Sequence, residues 1–223
     1  MDSEKLFDLI CQDNFQKDYQ TVNWTGSFSE YLALVADKPQ VARTAFQRLY
    51  DMIASYGFHT YKEYKKEIVH WNFFDDPIDN GLDGVFGLDI HLMKLVNVIK
   101  AGALEYGPEK RVLLLHGPVG SSKSTIVRMM KKGLEHYSHR PEGALYSYTW
   151  TNLGEILKME DTMSCPVHED PLHLIPVDRR AVFLEKLNHK KSKEAHVRIK
   201  GELCPVCRFI YRKLLEHYKG SWK

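Results

Sequence analysis

Apolar residues recur at helical spacing through the first quarter of the chain. Leu6, Phe7, Ile10 and Phe15 outline one face of a first helix. Ser27 followed by Glu30 has the spacing of a capping box. Tyr31, Leu32 and Leu34 continue it into a second helix, which must stop before Pro39. A third helix is predicted over residues 40–56, with Val41, Ala45, Leu49, Met52 and Ile53 on one side and Gly57 as its C-terminal cap. Stripes of this kind serve packing. The period is then lost over residues 58–84, where two tyrosines, Trp71 and Phe73-Phe74 mix with the turn signals Asp75-Asp76-Pro77 and Asn80-Gly81. This stretch reads as a linker folded back on the core.

Helical spacing returns with Leu92, Leu95, Val96, Val98 and Ile99. That helix is entered through Val85-Phe86-Gly87-Leu88-Asp89 and closed before Gly107-Pro108. Val112, Leu113, Leu114 and Leu115 form a continuous apolar run, the pattern of a parallel strand covered on both faces. Ile126, Val127, Met129 and Met130 restart a helix. Residues 144–150, ALYSYTW, alternate and predict a second strand, followed by a turn and short helix at residues 152–157. Two further helices are predicted over residues 179–188 and 208–218. Four segments follow: a helical subdomain at 1–57, a linker at 58–84, an α/β core with a parallel sheet at 85–160, and a cysteine-bearing insertion with helices at 161–223. With only two core strands evident, the sheet is expected to be incomplete.

Composition narrows the class. The 223 residues are 43% hydrophobic and 27% charged, as in a folded globular protein, and a net charge of +2 gives no global attraction to nucleic acid or membrane. Residues 186–200 are basic and only partly relieved by Glu194; they read as a solvated, mobile loop, with an anion or partner site as the alternative. No run is long and apolar enough to span a bilayer, and the first residues lack a signal-peptide profile, so a cytoplasmic location is expected.

Chemistry enters between the apolar run and the helix after it. Gly117-Pro118-Val119-Gly120-Ser121-Ser122-Lys123-Ser124-Thr125 stands where strand passes to helix, the context of a phosphate-binding P-loop. Backbone N–H groups and the helix dipole would cradle the phosphates of ATP. Lys123 would reach the β- and γ-phosphates, and Ser124 would ligate Mg²⁺. One position departs from the usual pattern: Ser122 stands where glycine is expected. Phe86 and Gly87, just upstream, are either adenine contacts or simple packing. His116 reads as a strand-end residue.

The four cysteines suggest metal rather than disulfides in a reducing compartment. Cys165-Pro166-Val167-His168 and Cys204-Pro205-Val206-Cys207 are two pairs with two-residue spacers, enough for one structural zinc bound by Cys165, His168, Cys204 and Cys207. The alternative is a buried thiol pair with a surface histidine. Cys11 is isolated and expected inside a helix.

Taken in order, VFGLDIHLMKLVNVIKAGALEYGPEKRVLLLHGPVGSSKSTIVRMMKKGLEHYS, YSYTWTNLGEIL, SCPVHEDPLHLIP and GELCPVCRFIY resemble the PrkA-type serine protein kinase family of bacteria. The likeness runs over about residues 27–218. It implies a P-loop NTPase core of AAA type, a family tolerance of Ser122, protein substrates, ring-forming homo-oligomers, and a C-terminal region likened to kinases. No apolar run ending in paired acidic residues follows the P-loop, and neither a Gly-rich kinase loop nor a His-Arg-Asp sequence is present. The chain is therefore expected to be the N-terminal part of such an architecture. Three functions stay open: ATP-dependent phosphorylation of proteins, a AAA engine that remodels proteins or feeds them to proteolysis, and a nucleotide-binding interaction module without catalysis.

Overall fold

The computed structural model describes residues 23–158 and 160–221; the expected first helix and Cys11 lie outside the described residues. Helix α1 (Phe28–Asp37) begins as its sequence dictates. Ser27 Oγ accepts the Glu30 N–H at 3.4 Å, and the Glu30 carboxylate accepts the Ser27 N–H at 2.7 Å. Pro39–Ala42 forms a separate 3₁₀ turn, so the third expected helix starts late, as α2 (Ala45–Ser55). Thr44 and Gln47 build a second capping box there, which explains the later start. Gly57 takes φ +78° and closes the helix by donating to Ala54 O.

The stretch expected to be a linker is instead a β-hairpin. β1 (Phe58–Glu63) and β2 (Lys66–Trp71) pair antiparallel, from Phe58↔Trp71 to Glu63↔Lys66. Tyr64 and Lys65 form its two-residue turn with φ of 45° and 66°, the left-handed pair that a type I′ turn needs. Neither is the Asn or Gly that normally announces such a turn, so the sequence carried no warning. Phe73 and Phe74 follow in a 3₁₀ turn and are fully buried.

Helix α3 (Asp89–Ala103) and helix α4 (Lys123–Ser138) close the main core. Met52 and Ile53 of α2, Trp71, Phe73 and Phe74, Val96 and Ile99 of α3, and Ile126, Met129 and Tyr137 of α4 pack together there. Arg48 locks the far end of α4. Its buried guanidinium donates to Ser138 Oγ at 2.8 Å and to the Gly143 carbonyl, and lies over the Tyr137 ring.

Downstream lie β3 (Thr149–Trp150), the short helix α5 (Gly154–Leu157), β4 (Met163–Ser164), α6 (Val177–Asn188) and α7 (Pro205–His217). A second core joins Tyr31 and Val35 of α1 to Leu172, Ile175 and Val197. Each core thus draws on more than one of the four expected segments. The basic stretch is docked, not free: the Asn188 side chain brackets Val197 with bonds of 2.8 and 2.9 Å, and Gln47 donates to His196 O at 3.0 Å. No helix among the described residues is long and apolar enough to cross a membrane.

The parallel sheet is the main correction. Among the described residues the sheets are two antiparallel pairs, β1–β2 and β3–β4. Val112, Leu113 and Leu114 are 94%, 42% and 83% exposed, and no strand pairs with them. Residues 144–150 contribute only β3 as strand, whose edge goes to β4. A parallel strand needs a partner on its edge and cover on its faces, and this run has neither.

His70 ties the hairpin to α3. Its Nδ1 meets Asp89 at 2.9 Å, its Nε2 meets Asp75 at 2.9 Å, and Tyr61 donates to Asp89 at 2.7 Å. Burial opposes the charge on His70, but bonds to Asp75 and Asp89 outweigh it and raise its pKa above 6.5. The stabilisation is therefore complete below the free-chain value and is lost as pH rises through the folded one. Denaturation of wild type and His70→Gln across roughly pH 5 to 9 should show a stability gap that narrows toward the alkaline end. Gly133 offers a second check. A Cβ there would lie 2.6 Å from the Phe73 ring and 2.8 Å from Met52 Sδ, both buried. Gly133→Ala should lower stability by about 1–2 kcal/mol in urea titrations, despite alanine's better helix propensity.

Candidate functional site

The residues singled out at 117–125 form a tight loop feeding the N-terminus of α4. Gly120 (φ +81°) and Ser122 (φ +55°) are both left-handed, on either side of Ser121. Alternation of this kind turns neighbouring N–H groups toward one side and makes an anion-binding concavity. α4 then opens at Lys123, adding its unpaired first-turn N–H groups and the positive end of its dipole. The Lys123 ammonium folds over the loop and donates to Gly117 O at 2.9 Å, Pro118 O at 2.5 Å and Ser121 Oγ at 2.8 Å. Ser121 Oγ also donates to Pro118 O, closing the turn. A Cβ at Gly117 would meet Ser121 Oγ at 2.8 Å and would have to turn that hydroxyl away. Ser124 is exposed in the first turn of α4, Thr125 is half-buried, and Pro118 and Val119 are exposed.

Ser122 explains its own oddity. It caps α4 in a left-handed conformation that glycine adopts freely and serine adopts at a cost of about 1 kcal/mol. Its side chain makes no capping bond, so the residue supplies backbone direction only.

A cleft of about 470 Å³ opens between α3, residues 113–118 and the start of α4. Leu88, His91 and Leu95 form one wall, and Leu115, Gly117 and Lys123 the other. Its size suits a nucleotide base and sugar. Phe86 and Gly87 do not line it. Gly87 is left-handed (φ +73°), and Phe86, on its far side from the helix, is 77% exposed with its ring turned onto Gly84. The apolar lining of the cleft includes Leu88 and Leu95. A larger open groove, about 920 Å³, lies on the other side of residues 113–115, with Val127, Arg128 and Lys131 along it.

The outer flank of α4 is anchored by acids that sequence reading missed. Lys132 pairs with buried Asp76 at 3.0 Å and with Asp79 at 2.5 Å; Arg128 pairs with Asp83 at 2.5 Å. Asp76 also accepts N–H bonds from Asp79 and Asp83. Its burial favours the neutral acid, but these donors and Lys132 prevail and hold its pKa down. The turn signals at residues 75–81 were the visible trace of this loop; the partners on α4 carried none.

The cysteine pairs converge in a third packed cluster. Cys165, Cys204 and Cys207 are free, buried thiols whose sulfurs lie with a Glu169 carboxylate oxygen within 4.8 Å of one another. His168 is exposed, at φ +52°, and stays outside the group. The left-handed turn at His168 brings the next residue, Glu169, inward. α7 begins at Pro205, three residues earlier than expected, so Cys204 caps it and Cys207 sits in its first turn. Burial opposes ionisation of Cys165, yet the N–H groups of Glu169 and Val167 outweigh it and hold its thiol below the usual value. Burial dominates at Cys207 and pushes its thiol up to about 11.

Against known proteins, the sequence profile described as the PrkA AAA domain matches residues 26–223. The chain is 34% identical over 209 residues to the ATP-dependent protease PrkA of Bacillus subtilis (strain 168), covering 93% of the chain and 27% of that protein. It thus spans about a quarter of the length of that relative. An uncharacterized protein in the gldA 5'region of Geobacillus stearothermophilus is 34% identical over 77 residues, covering 34% of the chain and 68% of that protein. No solved structure matches.

The left-handed serine makes a direct prediction. Ser122→Gly should leave the loop in place and change stability by no more than about 1 kcal/mol in either direction, strain relief offsetting the added freedom of the unfolded chain. Chemical denaturation measures it, and a loss well beyond that range would show that the Ser122 side chain holds the loop.

Proposed function

The chain belongs to the PrkA AAA domain family, and from that premise we propose that it is the ATP-binding part of a AAA ATPase that delivers protein substrates to proteolysis. One observation carries the nucleotide reading: the nest at residues 120–122 opens directly into α4, with Lys123 lying across it. In this reading the N–H groups of the loop and the first turn of α4 hold the β- and γ-phosphates. Lys123 exchanges the carbonyls of Gly117 and Pro118 for phosphate oxygens, gaining charge–charge bonds for charge–dipole ones. Ser124, exposed at the first turn, offers its hydroxyl to Mg²⁺, which neutralises phosphate charge when bound. The base and sugar lie in the cleft against Leu88 and Leu95.

The step from nucleotide to protein substrate rests on the relative. That relative is named an ATP-dependent protease, which favours delivery to proteolysis over phosphotransfer. The serine kinase reading has the sequence resemblance as its support and no kinase loop in these residues. Assembly into rings is the expectation for a AAA engine, and it would place further chains or segments beside the exposed run at residues 112–114.

Titration with a fluorescent ATP analogue tests the site. Wild type should bind it in the presence of Mg²⁺, and Lys123→Ala should bind roughly 10- to 100-fold more weakly, the worth of one charge-assisted bond. Equal affinities would remove the P-loop assignment.

A further inference from the structure

We propose that Cys165, Glu169, Cys204 and Cys207 bind one zinc ion, with Glu169 as the fourth ligand in place of His168. The site is independent of the nucleotide loop and goes beyond the function proposed above. Four donor atoms from two separate stretches of chain, residues 165–169 and 204–207, meet within 4.8 Å. The edge of a tetrahedral zinc–thiolate site, at Zn–S near 2.3 Å, is about 3.8 Å, so occupancy needs only a contraction of about 1 Å. Three thiolates with a carboxylate select zinc over the hard oxygen-seeking cations.

The surroundings are already those of a thiolate site. Each sulfur accepts at least one N–H: Cys165 from Glu169 at 3.4 Å, Cys204 from Cys207 at 3.4 Å, and Cys207 from the Trp150 indole at 3.3 Å. Such donors spread the negative charge of a ligating sulfur and fix its direction. Glu169 is oriented in the same way. Its Oε2 accepts the Cys204 N–H at 3.0 Å and the Tyr148 hydroxyl at 3.3 Å. The cluster buries these polar atoms among Leu203, Tyr148 and Trp150, where a shared cation satisfies them together.

Binding breaks three S–H bonds and forms three Zn–S bonds and one Zn–O bond; the protons leave to solvent, and nothing is oxidised or reduced. Four protein ligands leave no open position, so the ion is structural. It staples the β3–β4 pair to the start of α7. These elements have little else in common: β3 and β4 are two residues each, and the cluster around them is small.

The test uses the full chain, reduced and metal-stripped, then titrated with Zn²⁺ and separately with Co²⁺. About one zinc per chain is expected by mass spectrometry, with the thiolate-to-cobalt charge-transfer band and the intense visible bands of tetrahedral cobalt. X-ray absorption of the zinc form should show three sulfurs and one oxygen, without imidazole scattering. His168→Ala should keep the ion at unchanged affinity. Glu169→Ala should weaken it by at least about 10-fold, and Cys204→Ser should lower affinity further. Chelator should lower the melting temperature of wild type and leave that of Cys204→Ser unmoved. Absence of zinc and cobalt binding by the reduced chain would overturn the site. So would an imidazole signature, or loss of the ion in His168→Ala with retention in Glu169→Ala. The absorption spectrum needs no variant, so a misfolded Glu169→Ala still leaves the ligand identity decided.

Discussion

The fixed position of α4 governs everything near the loop. Its inner face, Ile126, Met129, Gly133 and Tyr137, is sunk in the aromatic core, and Gly133 lets Phe73 and Met52 come closer than any side chain would permit. Its outer flank is tied by Arg128 and Lys132 to Asp83, Asp79 and Asp76. A nest of N–H groups binds anions only if its donors keep their directions, and those directions are set by where the helix begins. The hairpin and the 3₁₀ turn after it serve the site without touching it, by supplying Phe73 and Phe74 as the surface on which α4 rests.

What could be read from the sequence follows this division. Local features with one physical cause were legible: the Ser27–Glu30 capping box, Gly57 as a cap, the loop and helix after the apolar run, and helices in the α6 and α7 regions. Features that depend on partners were not. The β1–β2 turn uses Tyr64 and Lys65, which carry no turn signature, and is held open by pairing along both strands. The apolar run at residues 112–115 has the composition of a covered strand, but composition specifies a need for cover and cannot supply it. In the described residues a cleft shared with α3 lies on one side of it and an open groove along α4 on the other.

The candidate site shows the same limit at finer grain. Spacing placed Lys123 and the loop correctly on a helix start, because strand, turn and helix are consecutive in sequence. For Phe86 it left adenine contact and simple packing both open, and the structure turns that ring outward, away from the cleft, across the left-handed Gly87. In the second constellation the three cysteines come together and His168 stays outside them. A Cys-x-x-His spacing suggests a histidine ligand, yet the left-handed backbone at His168 exposes that ring and presents Glu169. A single backbone dihedral separates the exposed His168 from Glu169 beside the thiols, and no spacing rule encodes it.

The two ends of the described chain also differ in what kind of force can hold them. Around α4, large buried side chains supply the cohesion, and the buried charges of Arg48 and Asp76 fix its end and flank. Around β3, β4 and the start of α7 the apolar area is small, and polar atoms carry the contacts: sulfur, carboxylate, indole N–H and phenol. Dispersion and burial weaken quickly when so few side chains are involved, whereas directional bonds to sulfur do not scale with area. Tyr148 and Trp150 join the regimes, since they reach the thiols from the strand that follows α4 by only a short connection. Arg48 and Tyr137 secure the end of α4 from which that connection starts.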